Sequence, residues 1–526
     1  MTIGASPEET PAPPGVTATT GASVAVGGAW HVFSQLVPQV YTLIISVVAA
    51  RVLGPTGMGQ QSFIAFVAIT VVSLASSGLN VALLRYVGEI VGRGESHVVR
   101  ALSRWAWRVE GVLAVAGGAV LVAGAGRGEL EEAWALAAIV VVGGILHSVP
   151  ASILYGLQRW REASIVGLVT GAASTVATIV VLALDGGIVG MFAVEAAVGV
   201  VNLAWTTALA RRALPDSAVV SFDPAVRRAV RSYALIVSVD VLLTYVVWRR
   251  SEFFFLERYS TDAHIAVYSV AFAAVNVLGR IPDALGMVLA PAVANLLGAG
   301  QLDRVRVGYG RAIRLLVQLM LPMTAVAMAL GPATLRLVYG REYAEAGPVV
   351  VVLLAAFLAV PVFNLTSGML TGLGQARILL AAVAVAAVVN LGADVALIPD
   401  HDSVGAAWAN GTAQVTAAIF IVLYVRARVG GVSWGMWAVG RTAVAAALAG
   451  VAALMCVRAL GDLAGVPVGV LAGAVTFAAL AVALRVVAAD DHAWLSENLV
   501  PRLPGRLGQV TGSVLGRVSG GRGAGR

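Results

Sequence analysis

The sequence predicts an all-α polytopic membrane protein of about fourteen transmembrane helices. Three observations predict it. Of its 526 residues, 59% are hydrophobic and only 12% charged, against about 25% charged in a soluble protein. The mean hydropathy is +0.89. Apolar runs of about 20 residues recur along the chain, each long enough to cross a hydrocarbon core about 30 Å thick. Such runs must be helical, because an open sheet leaves backbone groups unsatisfied in lipid.

The elements follow in order. Residues 1–23 are rich in Pro, Thr, Ala and Gly and hold no base. They are expected to be disordered on the cytoplasmic side, since they offer nothing to bury. Span 1 covers 24–50, with Pro38 as a kink. The Gly54-Pro55 and Gly57-Met58-Gly59 turn signals lead into span 2 at 63–84. Spans 3 to 6 lie near 105–125, 133–157, 163–184 and 188–210. These six form an N-lobe, 24–210. Residues 211–232 carry five arginines and form a cytoplasmic linker. Spans 7 to 12 start near 233, 264, 312, 349, 378 and 404 and make a C-lobe, 233–430. Two further spans occupy 431–488. A basic Gly- and Arg-rich tail, 489–526, closes the chain.

The two lobes resemble each other. Gln61-Ser62 matches Tyr268-Ser269, and Gly92-Arg93-Gly94 matches Gly298-Ala299-Gly300, at similar spacing. Tyr155-Gly156-Leu157 then matches Thr371-Gly372-Leu373. With six spans per lobe, the repeats are parallel and related by an axis along the membrane normal. Basic residues fix the orientation. With the N-terminus inside, 26 of the 35 arginines fall in the loops, adjoining helix ends and tail on that side and 6 on the other. Both termini are therefore expected in the cytoplasm of a multi-pass plasma-membrane protein.

Span 7 carries an anomaly, YVVWRRSEFFFLER, at residues 245–258. One Arg at a helix centre costs about 2.5–3.5 kcal/mol, so intramembrane charge marks a candidate functional site. Tyr245, Arg249 and Glu252 share a helical face, with Arg250 beside it. In span 8, Asn276, Arg280 and Asp283 share a face by the same spacing. These charges read either as a column lining a polar cavity or as two structural ion pairs, Arg249–Glu252 and Arg280–Asp283. Asp240, Glu195 and Asp394 are lone intramembrane acids, and Asn390 shares a face with Asp394. Each is a candidate for carrying a proton or helping to hold Na⁺; the alternative is a neutral hydrogen-bonded acid. Arg85 and Glu89, ending span 2, are candidates for a gate or entrance contact.

Several chemistries are excluded. Lysine is absent, so no P-loop exists to hold ATP. No His/Cys/Asp cluster has metal-ligand spacing, and a single Cys456 forms no internal disulfide. The basic residues sit in short loops between spans, which speaks for membrane orientation and not for nucleic acid. No cofactor is expected beyond a coupling proton or Na⁺.

Six stretches carry a family resemblance: ARVLGPTGMGQ at 50–60, GLNVALLRYVGE at 78–89, VYSVAFA at 267–273, YGREYAEAGPVV at 339–350, LTGLGQAR at 370–377 and SVGAAWA at 403–409. In this order they resemble the oligosaccharide flippases, the polysaccharide-transporter branch of the multidrug/oligosaccharidyl-lipid/polysaccharide exporter superfamily, over about 25–430. The resemblance implies two six-helix lobes, with two helices added. It also implies alternating-access transfer of an isoprenoid-diphosphate-linked oligosaccharide from the inner to the outer leaflet. That family often has an Arg-x-Asp-like pair in span 7, where this chain has Arg250-Ser251-Glu252 with Arg249 added. Arginine suits a diphosphate because its planar fork binds phosphate oxygens bidentately. The expected partners are the lipid-linked glycan, membrane lipids and polysaccharide-assembly proteins. A cation-coupled drug exporter or a lipid II flippase of the same superfamily is the nearest alternative. A membrane polymerase or ligase is disfavoured, because no large loop carries a nucleophile–base pattern.

Overall fold

The computed structural model describes residues 21–498, apart from 94, 126–129, 158, 215–222, 249–250, 299, 431 and 433–434. The side chains of some further helical residues, among them Asp240, Arg280 and Asp283, also lie outside the described set. So do Arg249 and Arg250 altogether, and most of the two expected tails. All described secondary structure is helical: α1 (Gly21–Gly92), α2 (Ser96–Ala125), α3 (Glu131–Gly156), α4 (Trp160–Ala183), α5 (Gly187–Ala213), α6 (Pro224–Trp248), α7 (Glu252–Tyr259), α8 (Asp262–Gly298), α9 (Leu302–Tyr339), α10 (Ala346–Phe357), α11 (Ala359–Gly372), α12 (Ala376–Arg428), α13 (Met436–Ala483) and α14 (Ala489–Asn498). Ten segments are long and apolar enough to cross a membrane.

Three helices are too long for one crossing. The 72 residues of α1 would extend about 108 Å if straight. Each long helix contains one non-helical residue: Gly54 in α1, Asp402 in α12 and Gly461 in α13. The chain turns back there. In α13, Gly465, Gly469 and Gly473 lie against Val457, Ala453 and Ala449. All three pairs are centred on residue 461, as an antiparallel hairpin requires, and glycine lets the two backbones approach closely. In α12, Gly405 lies against Leu397 and Ile398. Asp402 adopts a φ of 47°, a conformation Asp tolerates better than most residues. Ser260 Oγ donates to its Oδ1 at 2.5 Å and helps hold it. Counting α6 with α7, and α10 with α11, as one crossing each, the described residues make fourteen crossings.

These crossings pack as two lobes. In one, α1 packs with α2, α3 and α4, and α5 covers α3 and α4. In the other, α8, α9, α10, α11 and α12 pack round an apolar core that continues onto α1 of the first lobe. The lobes meet where α1 lies against α6 and α8.

Two boundaries differ from expectation. Helix α6 begins at Pro224, inside the expected linker. Asp223 Oδ1 accepts from Ala225 N at 2.8 Å, which caps the helix, and proline is favoured at the first helical position. Asp223-Pro224 was therefore a readable start signal. Span 7 is not one helix, because Ser251 lies in a turn and a separate helix, α7, starts at Glu252. Smaller shifts occur at the ends. Helix α1 starts at Gly21, within the stretch expected to be disordered, and α14 forms within the expected tail.

The added hairpin α13 is fastened along α9. At one end Arg336 donates to both carboxylate oxygens of Asp462, at 2.9 and 2.8 Å. At the other end, buried Asp491 of α14 pairs with Arg311 and Arg314, at 3.2 and 2.7 Å. Gln318 Nε2 also donates to Val486 O at 3.0 Å. The hydrogen bonds from Arg336 hold the Asp462 carboxyl below its usual range. Its folded value is depressed, so its contribution to stability is present above the unfolded value, about 3.9, and fades as pH falls through the lowered one. Asp462→Asn is expected to lower thermal stability by at most about 1 kcal/mol at neutral pH, as befits a partly exposed pair. Thermal unfolding across pH checks this: the gap from wild type closes below the ordinary carboxylate value.

Candidate transport site

A cavity of about 790 Å³ lies between the lobes. Its walls come from both halves of α1, from α8, α10, α11 and α12, and from Met191 of α5. It runs from Met58, just past the Gly54 turn, to Thr371 at the end of α11 and Leu379 beside Arg377 at the start of α12. Six amide side chains line it: Gln39, Gln61, Asn276, Asn364, Asn410 and Gln414. Hydroxyls such as Thr42, Ser62 and Ser367 and the aromatic rings of Phe66, Phe272 and Phe363 complete the wall. Among the described lining residues none is charged. Amides and hydroxyls both donate and accept, and aromatic faces offer apolar contact. This lining can hold neutral, hydroxyl-rich matter in a dehydrated setting.

The arginine-poor end of the cleft is shut. Arg51, ending the first half of α1, donates to Leu337 O and Val338 O, each at 2.8 Å. Those carbonyls end α9, where a cation also meets the negative end of the helix dipole. Tyr343 OH donates to Ala50 O at 3.2 Å, and Ser46 Oγ meets Tyr339 OH at 3.3 Å. Gly59 presses on the backbone of Asp262, at the start of α8; a Cβ there would fall 1.8 Å from the Asp262 oxygen. Towards the arginine-rich end, Gly78 packs on Ala234 and Ser238 of α6.

Behind the cavity wall, the C-lobe buries a cluster of polar groups. Glu252 opens α7, and Asn390, Asp394 and Asn410 project from the two halves of α12. All four are fully buried. Asn410 Nδ2 donates to Glu252 Oε1 at 2.8 Å, and Gln414 Nε2 donates to Asn410 Oδ1 at 2.5 Å. Asn390 Nδ2 donates to Asp394 Oδ2 at 2.9 Å and lies 3.0 Å from Ser251 Oγ. The Tyr268 phenol of α8 also faces Glu252. Glu252 Oε2, Asp394 Oδ1 and Asn390 Oδ1 have no hydrogen-bond partner among the described residues. The two carboxylates are near enough to interact electrostatically. Buried acceptor oxygens that lack donors call for a cation or a proton beside them.

Depth explains why these residues meet. Glu252 lies seven residues before the end of α7, and Asp394 and Asn410 lie eight before and eight after Asp402. At 1.5 Å per residue, they lie about 10–12 Å below the arginine-poor ends.

The expected site residues divide. Asn390 and Asp394 do meet, and Glu252 joins them. Glu252 was expected on the cavity wall beside Arg249, and it is instead buried behind Asn410. The expectation assumed one continuous helix, and the break between α6 and α7 ends the register on which it rested. Arg280 and Asp283 fall in α8, Asp240 in α6, with side chains outside the described set. Glu195 is exposed on α5, away from the cluster. Arg85 and Glu89 do not pair. The Arg85 guanidinium sits 4.8 Å from the ring centre of Tyr233 on α6, and Glu89 pairs with Arg93. Arg85 thus spans the lobe interface.

Sequence reasoning missed Asn410, Gln414 and Tyr268. It also missed Glu110, a fully buried acid of α2 that lies against Ser148. An i, i+4 amide pair in span 12 and an acid within the apolar run of span 3 were the available signals.

The fold matches known transporters. The structure is similar to that of lipid II flippase MurJ in an inward closed conformation, with a TM-score of 0.69 at 10% identity, over 87% of this chain and 98% of that one. It is also similar to a multidrug resistance MATE family transporter in an inward-facing conformation, with a TM-score of 0.59 at 17% identity, over 74% and 94%. A transporter of the same superfamily from Pyrococcus furiosus gives a TM-score of 0.53 at 16% identity, over 77% and 95%. No curated protein sequence matches the chain. The MatE family model matches residues 238–395, a stretch that contains Glu252, Asn390 and Asp394. The model described as polysaccharide biosynthesis protein matches residues 24–297, more than half of the chain. The chain therefore belongs to the polysaccharide biosynthesis protein family of polytopic transporters, within the multidrug/oligosaccharidyl-lipid/polysaccharide exporter superfamily.

Proposed function

We propose that the protein is a plasma-membrane flippase carrying an isoprenoid-diphosphate-linked oligosaccharide from the inner to the outer leaflet for cell-surface polysaccharide assembly. The observation that carries this reading is the cavity between the lobes, lined with amides, hydroxyls and aromatic rings and shut at its arginine-poor end. A glycan can exchange water for these groups on entering. The arginine-rich end faces the cytoplasm in this reading, by the positive-inside rule, so the cavity loads from inside. The diphosphate falls to Arg249, Arg250 and Arg280, which the sequence supplies in adjacent crossings. Opening of one end as the other closes completes transfer.

In the same reading, transport is driven by a proton or Na⁺ taken up at Glu252 and Asp394. Carboxylate and amide oxygens are the ligands a hard cation prefers, and two facing carboxylates equally suit a shared proton. Glu195 and Glu110 lie in the other lobe and are not assigned to this cluster.

The test is reconstitution of the full chain in proteoliposomes with a fluorescent polyprenyl-diphosphate disaccharide. Protein-dependent loss of the probe from the loaded leaflet, accelerated by a proton or sodium gradient, is the expected result. Unchanged leaflet distribution sinks the substrate assignment. One observation favours a second reading, a cation-coupled exporter of amphiphilic drugs: the MatE match covers Glu252, Asn390 and Asp394 of the cation cluster. Gradient-driven export of a lipophilic dye, with no movement of the glycolipid probe, would select it.

A further inference from the structure

Asn410 and Gln414 stand between the buried acids and the cavity. Both line the cavity, and both belong to one hydrogen-bonded chain that ends at Glu252. Their spacing places them on one face of α12, one turn apart. The chain has a direction. An ionised carboxylate only accepts hydrogen bonds, so Asn410 must turn its NH₂ to Glu252. Its carbonyl is then left for Gln414, which must answer with its own NH₂. That is the arrangement observed, with Asn410 Nδ2 on Glu252 Oε1 and Gln414 Nε2 on Asn410 Oδ1. The Gln414 carbonyl is the end of the chain not committed to Asn410.

Loading Glu252 reverses every step. A proton taken from water turns one Glu252 oxygen into an O–H donor. A Na⁺ ion there asks for oxygen ligands. Seated at Oε1, the oxygen that Asn410 holds, either occupant calls for the Asn410 carbonyl in place of its NH₂. The amide then rotates and presents its NH₂ to Gln414, whose own amide must answer with its carbonyl. The NH₂ of Gln414 is released. Only an O–H bond or a metal–oxygen contact forms, and no other covalent bond changes. Among the described residues, the titratable groups facing Glu252 are Asp394 from α12 and the Tyr268 phenol from α8. Asp394 sits on the side of Asn390, away from the Gln414 branch.

We propose that Asn410 and Gln414 form an amide relay that switches the cavity wall from hydrogen-bond acceptor to donor when Glu252 takes up a cation. The relay rests on the cation-coupling reading above and adds to it the route by which ion and substrate sense one another. A donor wall favours acceptor-rich ligands, such as diphosphate or ring and carbonyl oxygens of sugars. Cation and substrate then bind cooperatively through a shared hydrogen-bond chain, without touching. Asn410 and Gln414 act here as positioning residues.

Infrared difference spectroscopy of the full-length protein in liposomes tests the relay without any substrate. Addition of protons or Na⁺ to the wild type is expected to shift side-chain amide C=O bands. In Gln414→Leu that shift shrinks, while the cation still raises thermal stability because Glu252 remains. If the leucine variant does not fold, Gln414→Met serves, since it keeps the length and apolar fit. A second arm measures binding of the fluorescent polyprenyl-diphosphate disaccharide. Wild-type affinity is expected to rise about tenfold with cation, one charged hydrogen bond's worth; the variant's affinity stays flat. A variant that keeps both the amide shift and the tenfold response overturns the relay alone. A wild type with no thermal or spectral response to either cation overturns the coupling reading as well. A wild type that responds spectrally but does not bind the probe leaves the relay standing and removes the glycolipid substrate.

Discussion

Glu252→Gln and Asp394→Asn, made singly, are expected to abolish gradient-driven transport while leaving the protein folded. Each change keeps the side-chain volume and removes one anionic oxygen pair from a cluster whose members are fully buried. A hydrogen bond or contact to a charged group is worth about 1.5–3 kcal/mol. Cation affinity should therefore fall about tenfold to a hundredfold. Stability should not fall with it. Two buried carboxylates repel one another and have lost their hydration, so replacing one by a neutral isostere relieves strain even in the empty state. The measurement is a cation titration followed by thermal unfolding, beside transport under an imposed gradient. The coupling role predicts a variant as stable as the cation-free wild type or more so, with the cation-induced stabilisation gone. A purely structural pair predicts lower stability and an intact cation response. Asn390→Ala is a milder case. It leaves both acids in place but removes the donor on Asp394 Oδ2, so affinity weakens without being lost.

Sequence legibility followed physical scale. Whether a segment crosses the bilayer is a property of about 20 consecutive residues, and fourteen crossings were readable on that basis. Turns were readable where glycine or aspartate marked them, as at Gly54, Asp402 and Gly461. The break in span 7 was not, because apolar residues continue on both sides of Arg249 and Arg250 and hydropathy averages across them. The site depended on the break. With one helix, Glu252 belongs to the face of Arg249; with two, it turns towards α12. The pairing of Glu252 with Asp394, 142 residues apart, needed a different kind of evidence. Equal depth below the turns at Tyr259 and Asp402 supplied it, and that is readable from sequence once the turns are fixed. What sequence could not convey is which neutral residues line the cavity. Serine, asparagine and glutamine occur on every face of these helices, and only packing separates Asn410, on the wall, from Asn390, behind it.

The lobe interface yields the second large effect, through two glycines near its opposite ends. Gly59 of α1 meets the backbone of Asp262, and a Cβ there would lie 1.8 Å from its oxygen. Gly78 of the same helix meets α6, and a Cβ there would lie 2.1 Å from Ser238 Oγ and 2.3 Å from Ala234 O. Both contacts join one lobe to the other, and at both the obstacle includes main chain, which cannot swing aside as a side-chain tip can. Any side chain must therefore part the lobes at that end. Cores and interfaces of this density respond by switching arrangement, not by gradual yielding. Gly59→Val is expected to hold the arginine-poor end open and so favour the opposite state. Gly78→Val is expected to loosen the arginine-rich end. Cysteines placed at each end, labelled with a membrane-impermeant maleimide from one side at a time, read this directly. Gly59→Val should raise labelling at the arginine-poor end and lower it at the other, and Gly78→Val should do the reverse. Shifting a two-state equilibrium from 1:99 to 99:1 takes about 5.5 kcal/mol, and overlaps this deep with backbone oxygens cost at least that scale of rearrangement. Transport should fall to background in both variants, because each removes one of the two closed ends that alternation needs. The double variant separates this view from simple misfolding. If the glycines serve alternation, the two changes oppose one another and labelling returns towards the wild-type balance. If they serve only packing, the damage adds and both ends label more than in either single variant.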